Sequence, residues 1–326
     1  MAKKMKKAAS ASNSGGAKSG DTYRFIDLFA GIGGFHYAFK DLGCKCVFAS
    51  EWDDAARKTY EHNHRRHDPE LFESDHFARD ITKVVPESIP DFDILTAGFP
   101  CQPFSQAGKK KGFEDVRGTL FFNVAEILRV KQPAAFFLEN VRHLQAHDGG
   151  RTFARIQEVI TQELGYSFAA KVVKASDFGL PQHRPRLFMV GFRKDILPED
   201  FEFNFPQPQK DLRITMEEVW GAKQCNRKIG FTLRVGGRAS GIHDRRNWDM
   251  YMVDGKVKKL GPEQGKLMMG LPRTFEFPSD MAETQKMKQL GNSVAVDAIK
   301  ATGGRILSVL SERSSQKVMT RRGRSS

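Results

Sequence analysis

A glycine-rich turn between a strand pattern and a helix pattern limits most strongly how this chain can fold. Residues 23–28 form a mostly apolar run, the turn Gly31-Ile32-Gly33-Gly34 follows, and apolar residues then recur at helical spacing through Leu42. Glycine lets the backbone and the first helical turn approach a ligand closely. A strand, such a turn and a helix in succession predict an open α/β sheet.

An acid and an aromatic residue follow the second predicted strand. The strand pattern over residues 45–50 ends at Glu51, which lies 20 residues after Gly31 and directly before Trp52. An acid at this distance typically accepts hydrogen bonds from ribose hydroxyls, and the indole ring offers an adenine an aromatic face. These features predict an adenosine-containing cofactor.

The turn favours S-adenosylmethionine over a dinucleotide. His36 stands where a dinucleotide fingerprint would have its third glycine, and the turn lacks the extra spacing that accommodates a pyrophosphate. S-adenosylmethionine contains ribose and adenine but no phosphate, so it is the predicted cofactor.

A cysteine follows the next predicted strand. The apolar run of residues 93–97 leads into Gly98-Phe99-Pro100-Cys101-Gln102-Pro103-Phe104-Ser105, and a run ending in Gly and Pro predicts a buried strand that stops abruptly. Cys101 would then lie at the carboxyl end of the strand, where reacting groups collect in open α/β sheets. An inert buried cysteine is the alternative.

A carboxyl group is expected at the same edge. Five apolar residues, 134–138, precede Glu139-Asn140-Val141, and burial at a strand end would raise the pKa of Glu139 and let it act as an acid. A thiol and a carboxylic acid at one edge are the groups needed to attack an electron-poor ring while a ring nitrogen is protonated. The alternative is a structural hydrogen bond for Glu139.

The octapeptide around Cys101 and the Glu-Asn-Val triplet resemble those of the DNA (cytosine-5) methyltransferases, of the bacterial restriction-modification type. The resemblance extends over roughly residues 25–306, with motifs in the family's order. It implies a Rossmann-like S-adenosylmethionine-dependent methyltransferase sheet and sequence-specific methylation of carbon 5 of a flipped cytosine in duplex DNA. Cys101 would add to carbon 6, and Glu139 would protonate or hydrogen-bond N3.

The resemblance also assigns roles to single residues. Arg186, in Gln182-x-Arg184-x-Arg186, would help hold the target ring as a third catalytic residue. Gln102 and Ser105 would support the flipped state. The predicted cofactor-binding residues are Phe29, Gly31, Ile32, Gly33, Gly34, Glu51, Trp52, Asp80, Ile81, Pro100, Leu120, Asn292 and Val294.

Arginines dominate the predicted DNA contacts. The formal net charge of +13 and the pI near 9.6 suggest a polyanionic partner, either nucleic acid or an anionic surface. Arginine reaches guanine edges or phosphates. With Gln102 and Ser105, the predicted DNA-binding residues are Arg184, Arg234, Arg238, Arg245 and Arg246, and no metal site is expected.

Changes in composition divide the chain. Residues 1–21 are predicted to be a disordered basic arm, and the segment from about Ser311 is expected to be equally unstructured. The predicted domains are a catalytic and cofactor-binding domain at 22–193, a small, mostly irregular or β target-recognition domain with linking segments at 194–285, a return to the catalytic domain at 286–312, and a basic tail at 313–326.

The cellular setting is predicted from what the sequence contains. The cysteines Cys44, Cys46, Cys101 and Cys225 form no CxxC pair, no apolar run is long enough to span a membrane, and no signal peptide precedes the first strand. A cytoplasmic monomer acting on double-stranded DNA is expected, with a restriction endonuclease for the same site as a possible partner.

Three other functions compete with this interpretation. An NAD-dependent oxidoreductase would share the glycine turn and Glu51, but it has no need for Cys101 and Glu139 at strand ends. A non-catalytic basic DNA-binding protein would explain the charge alone. An RNA (tRNA) cytosine-5 methyltransferase uses the same machinery and is the main alternative.

Overall fold

The structure is a computed structural model that describes residues 22–100, 120–209, 211–236 and 240–322. A seven-stranded sheet forms its centre. Its strands are β1 (Arg24–Leu28), β2 (Lys45–Ser50), β3 (Phe77–Ala78), β4 (Ile94–Ala97), β5 (Ala135–Val141), β6 (Ala169–Lys174) and β7 (Pro185–Phe192).

Helices alternate with the strands through the first part of the chain. They are α1 (Gly34–Asp41), α2 (Asp54–His64), α3 (Glu70–Glu73), α4 (Leu120–Lys131) and α5 (Arg151–Glu158), and α5 continues into a π-helical turn at Val159–Glu163. The later elements are α6 (Met216–Trp220), β8 (Met250–Val253), β9 (Lys256–Lys259), α7 (Pro262–Met269), α8 (Glu283–Asn292) and α9 (Val296–Arg322).

The sheet is mostly parallel. Its strand order is β3-β2-β1-β4-β5-β7-β6, and β7 runs antiparallel to both of its neighbours. Both faces are covered, since the consecutive residues Phe25 and Ile26 belong to two different buried clusters and successive strand residues point to opposite faces. The predicted α/β sheet is therefore confirmed.

The region between β7 and α8 contains little regular structure. Its two-stranded sheet of β8 and β9 is antiparallel. Trp248 and Tyr251 are fully buried here and belong to the same apolar cluster as Leu233, Met268 and the α1 face of the main sheet. The core is thus continuous between the sheet and this irregular region.

One prediction about the last part of the chain is wrong, namely that the segment from about Ser311 is unstructured. The motif at residues 289–296 spans a break between two helices, because α8 ends at Asn292, Ser293 is extended and α9 begins only at Val296. Gly291 and Asn292 are weak helix formers, which favours a break at this point. Helix α9 continues to Arg322, so the chain is helical well beyond Ser311.

No helix among the described residues has both the length and the apolar character that a membrane span requires.

Candidate functional site

The carboxyl ends of four neighbouring strands form one edge of the sheet. In the parallel ladders, Ala97 of β4 is level with Leu28 of β1 and with Leu138 of β5. The chain segments that follow these residues, beginning at Phe29, Gly98 and Glu139, therefore lie side by side. This register brings the predicted cofactor turn and the predicted catalytic residues to the same edge.

The turn after β1 has an unusual backbone. Phe29 and Gly31 both have φ near 56°, and Gly33 has φ 86°, a left-handed region that favours glycine. The Gly31 amide donates a hydrogen bond of 2.8 Å to Oε2 of Glu51. Glu51 therefore fixes the turn from the neighbouring strand, which is a contact that the sequence did not predict.

Glu51 is held on both sides. Its Oε1 accepts a 2.8 Å hydrogen bond from the Asp53 amide, and burial raises the pKa of its carboxyl group. Each carboxylate oxygen has a second lone pair, so Glu51 can still accept hydrogen bonds from a ribose. The neighbouring Trp52 is 64% exposed, which leaves an aromatic face available at the site.

Space above the turn suits a ligand without phosphates. A Cβ added to Gly31 would meet no atom within 4 Å, so this side of the turn is open. Glu51 is hydrogen-bonded to the turn, and its carboxylate suits hydroxyl donors better than a pyrophosphate. These residues fit the predicted S-adenosylmethionine.

Asp80, which is predicted to contact the cofactor, also has a structural role. Its Oδ1 accepts hydrogen bonds from the amide and hydroxyl of Thr82, at 3.0 and 2.7 Å, and so caps the short helix that begins at Ile81. The hydroxyl of Thr82 is the main cause of the lowered pKa of Asp80. The carboxylate is thus kept charged.

The segment between α8 and α9 closes the other side of the turn. A Cβ on Gly34 would lie 2.5 Å from Cγ2 of Val294, and one on Gly98 would lie 3.9 Å from its Cγ1. Val294 is therefore packed between the start of α1 and the end of β4. Asn292, two residues earlier, is exposed.

A pair of buried histidines supports the turn from behind, and sequence reasoning missed it. The rings of His36 and His64 stack at 3.9 Å with 9° between their planes, and burial lowers the pKa of both. Nε2 of His64 occupies the place that a Cβ on Gly33 would take. The pair could have been found in the sequence from His36, which stands within the glycine motif.

These histidines and Asp68 bring possible metal-ligand atoms within 4.8 Å of one another. Stacked rings direct their in-plane lone pairs along parallel planes, which prevents them from converging on one ion. Lys40 already donates to Oδ2 of Asp68 at 2.6 Å. The cluster therefore stabilises the turn and does not suit a cation.

We expect Gly33→Ala to destabilise the protein more than Gly31→Ala. Both substitutions place alanine at positive φ, which costs about 1–2 kcal/mol. Only the methyl group on Gly33 would overlap His64, and such overpacking adds about 1–3 kcal/mol. Urea unfolding without cofactor measures the difference. Equal losses of stability would show that His64 does not restrict this position.

Glu139 is the buried acid of the site. It is 8% exposed at the end of β5, and Nε of Arg186 lies 3.1 Å from its Oε1. Burial raises the pKa of Glu139, whereas Arg186 and Arg184 act in the opposite direction. A Cβ on Gly98 would lie 3.9 Å from Oε2 of Glu139, so the segment that leads to Cys101 passes this carboxyl group.

Asn140 ties the two strand ends together. Its Nδ2 donates a 2.9 Å hydrogen bond to the carbonyl of Phe99, and its Oδ1 accepts one of 2.8 Å from the Val141 amide. Pro100 is exposed directly after Phe99. The predicted residues Cys101, Gln102 and Ser105 lie outside the described residues.

Arg184 requires a correction. It was predicted to contact DNA, but it is only 2% exposed, and its guanidinium donates to the carbonyls of Leu233, Gly291 and Ser293. An enclosed side chain that is bound to three backbone carbonyls cannot reach a nucleic acid in this conformation. Arg186, two residues later, is the arginine that contacts Glu139.

The other predicted DNA-binding arginines differ in their surroundings. Arg234 and Arg245 are exposed. Arg246 is exposed as well, but Nη2 and Nε donate to Asp244 at 2.8 and 3.1 Å. Arg238 lies outside the described part of the chain. The exposed guanidinium groups of Arg234 and Arg245 are therefore the more accessible to a ligand.

Comparison with known proteins gives consistent matches. The model of the family "C-5 cytosine-specific DNA methylase" matches residues 23–235 and 216–308. The chain is 38% identical over 316 residues to the type II methyltransferase M.HhaI of Haemophilus parahaemolyticus, covering 85% of this chain and 92% of that one. It is 41% identical over 308 residues to M.NgoBI of Neisseria gonorrhoeae, with 86% and 92% covered.

Solved structures share the fold. A DNMT2 mutant from Spodoptera frugiperda superimposes with a TM-score of 0.62 at 19% identity, covering 89% of this chain and 99% of that one. A putative DNA modification methyltransferase encoded within an Escherichia coli prophage gives a TM-score of 0.62 at 18% identity, with 89% and 100% covered.

Proposed function

Because the chain belongs to the C-5 cytosine-specific DNA methylase family, we propose that Cys101 and Glu139 act together on a cytosine flipped out of duplex DNA. The protein is a sequence-specific DNA methyltransferase that modifies carbon 5 of cytosine and uses S-adenosylmethionine. The observation that supports the residue-level proposal is the register of β4 and β5, since Gly98, three residues before Cys101, lies next to Glu139.

The proposed reaction begins with attack by the Cys101 thiolate on carbon 6 of the cytosine. Glu139 donates its proton to N3 as the carbon–sulfur bond forms, which makes carbon 5 nucleophilic. Carbon 5 would then accept the methyl group and S-adenosylhomocysteine would leave. A base would remove the proton from carbon 5, elimination would release the thiolate, and the N3 proton would return to Glu139. Flipping makes the ring accessible at a cost of a few kcal/mol. Arg186, which contacts Glu139, would help hold the target ring.

S-adenosylmethionine, when bound, supplies an electrophilic methyl group. Glu51 would accept hydrogen bonds from the ribose hydroxyls, and Trp52 would stack on the adenine. Other residues of the turn and of the sheet edge would form the rest of the proposed pocket, namely Phe29, Gly31, Ile32, Gly33, Gly34, Asp80, Ile81, Pro100, Leu120, Asn292 and Val294.

Arginines outside the central sheet would bind the DNA. Arg234 and Arg245 would reach guanine edges or phosphates, together with Arg238, Arg246, Gln102 and Ser105. The proposal also holds that the protein acts as a monomer in the cytoplasm. Its partner would be a restriction endonuclease that recognises the same site.

A mechanism-based substrate tests the covalent step. Bisulfite sequencing of a plasmid incubated with the enzyme and S-adenosylmethionine first identifies the modified site, and tRNA serves as the comparison substrate. A duplex with 5-fluorocytosine at that site should then form an adduct that survives denaturing electrophoresis, because fluorine at carbon 5 cannot leave as a proton. Methylation of ordinary DNA without any adduct would contradict attack by Cys101 at carbon 6.

A further inference from the structure

The buried guanidinium of Arg184 connects two separate segments of the chain. Nη1 donates to the carbonyl of Leu233 at 3.3 Å, and Nη2 donates to the carbonyl of Gly291 at 2.9 Å and to that of Ser293. Nε has no hydrogen-bond partner among the described residues. Glu139 attracts this buried cation and Arg186 repels it. Its hydrogen bonds among the described residues nevertheless all go to neutral carbonyls, which makes its burial costly.

The first of these segments contains a predicted DNA contact. Leu233 directly precedes the exposed Arg234, and its amide donates a 3.0 Å hydrogen bond to Oε1 of Gln182. A Cβ added to Gly291 would lie 2.7 Å from the carbonyl carbon of Arg234. The backbone of Arg234 therefore lies directly against the end of α8.

The second segment leads to the cofactor turn. Gly291 and Ser293 flank Asn292, and Val294 follows at once. Val294 packs against Gly34, the first residue of α1, and against Gly98, which precedes the segment of Cys101. Contacts thus run without a gap from the backbone at Arg234 through Arg184 to the cofactor turn and to the end of β4.

We propose that Arg184 is a positioning residue that couples DNA bound at Arg234 to the cofactor turn, and that it makes no DNA contact of its own. This inference rests on the proposed function. The planar guanidinium of Arg184 donates to carbonyls of both segments. If DNA binding shifts the segment of Leu233 and Arg234, the segment of Gly291 and Ser293 therefore moves with it. Coupling of this kind is reciprocal, so DNA should tighten cofactor binding and the cofactor should tighten DNA binding.

Calorimetry with S-adenosylhomocysteine measures the coupling without turnover. The coupling factor is the Kd for S-adenosylhomocysteine alone divided by the Kd in the presence of a plasmid-derived duplex that contains the mapped site. For the wild type we expect a factor within the common range of about 5–150. In Arg184→Met the factor should fall to about one, while the Kd measured without DNA changes by less than about threefold.

Further variants separate coupling from general damage. Arg184→Lys retains the charge but not the fork, so it should also lose most of the coupling. Gly291→Ala disturbs the same junction from the other side and gives a second test if Arg184→Met does not fold. Arg193→Met is the matched control, because Arg193 donates to the carbonyl of Gln132 and to Asp195 and should retain the wild-type factor.

The outcomes are distinct. A wild-type factor of one, or a factor preserved in the folded Arg184 and Gly291 variants, would overturn the role of Arg184. Equal weakening of binding with and without DNA would indicate a purely structural residue and would overturn it too. If the wild type fails to methylate plasmid DNA, the proposed function fails, independently of this inference.

Discussion

Cys101→Ser should abolish methyl transfer while DNA and S-adenosylmethionine remain bound. A thiolate is accessible near neutral pH because a free thiol has a pKa of about 8.5, whereas a serine hydroxyl stays protonated and is a weak nucleophile. Transfer of tritiated methyl groups to plasmid DNA measures the loss, and gel retardation measures binding. Turnover in the serine variant would remove Cys101 from the proposed role.

Cys225→Ser is the matched control for this substitution. Cys225 is a free, partly exposed cysteine in the irregular region, and burial raises the pKa of its thiol. The variant should methylate plasmid DNA at the wild-type rate and should still form the adduct with 5-fluorocytosine. Loss of activity in both variants would point to a general sensitivity to cysteine replacement.

Glu139→Gln should lower kcat by about 10²–10⁴-fold, the usual contribution of a general acid. Glutamine can still accept a hydrogen bond near Arg186, but it has no proton to give to N3. Single-turnover methylation of plasmid DNA measures the change. Glu163→Gln is the control, because Glu163 lies in the π-helical turn after α5 and pairs with Arg155, so it replaces the same carboxyl group outside the proposed site. An unchanged single-turnover rate constant in Glu139→Gln would exclude an acid role.

The acid role of Glu139 also predicts the direction in which kcat changes with pH. Burial raises the pKa of Glu139, so the protonated form persists to higher pH than in an ordinary glutamate, and kcat should fall as pH rises through that pKa. The glutamine variant cannot ionise and should lack this limb. The free energy of unfolding depends on pH in the same direction. Because the pKa of Glu139 is higher in the folded than in the unfolded protein, it stabilises the folded state below the unfolded value of about 4.3, and this stabilisation is lost as the pH rises through the folded-state pKa.

Local patterns predicted the elements of the sheet. The apolar runs before Gly31, Glu51, Gly98 and Glu139 became four strands that end at one edge. This succeeded because parallel strands buried on both faces read as continuous apolar runs. Glycine at positive φ likewise has a local cause, and the turn holds Gly31 and Gly33 in this conformation.

Residues that act through distant contacts escaped this reasoning. Arg184 and Arg186 are similar in the sequence, yet one is enclosed by carbonyls of Leu233, Gly291 and Ser293, and the other pairs with Glu139. In two of these hydrogen bonds the acceptor residues, Leu233 and Gly291, lie 49 and 107 residues from Arg184 in the sequence. No local pattern contains such information.

The sequence by itself determined the α/β fold, the glycine turn and the family to which the chain belongs, because these depend on the order of apolar runs and on short motifs. Only the tertiary structure decided that Glu51 holds the turn, that His64 fills the space behind Gly33 and that Arg184 joins two segments. These contacts depend on which strands and loops become neighbours, and that follows from packing the whole chain around one core.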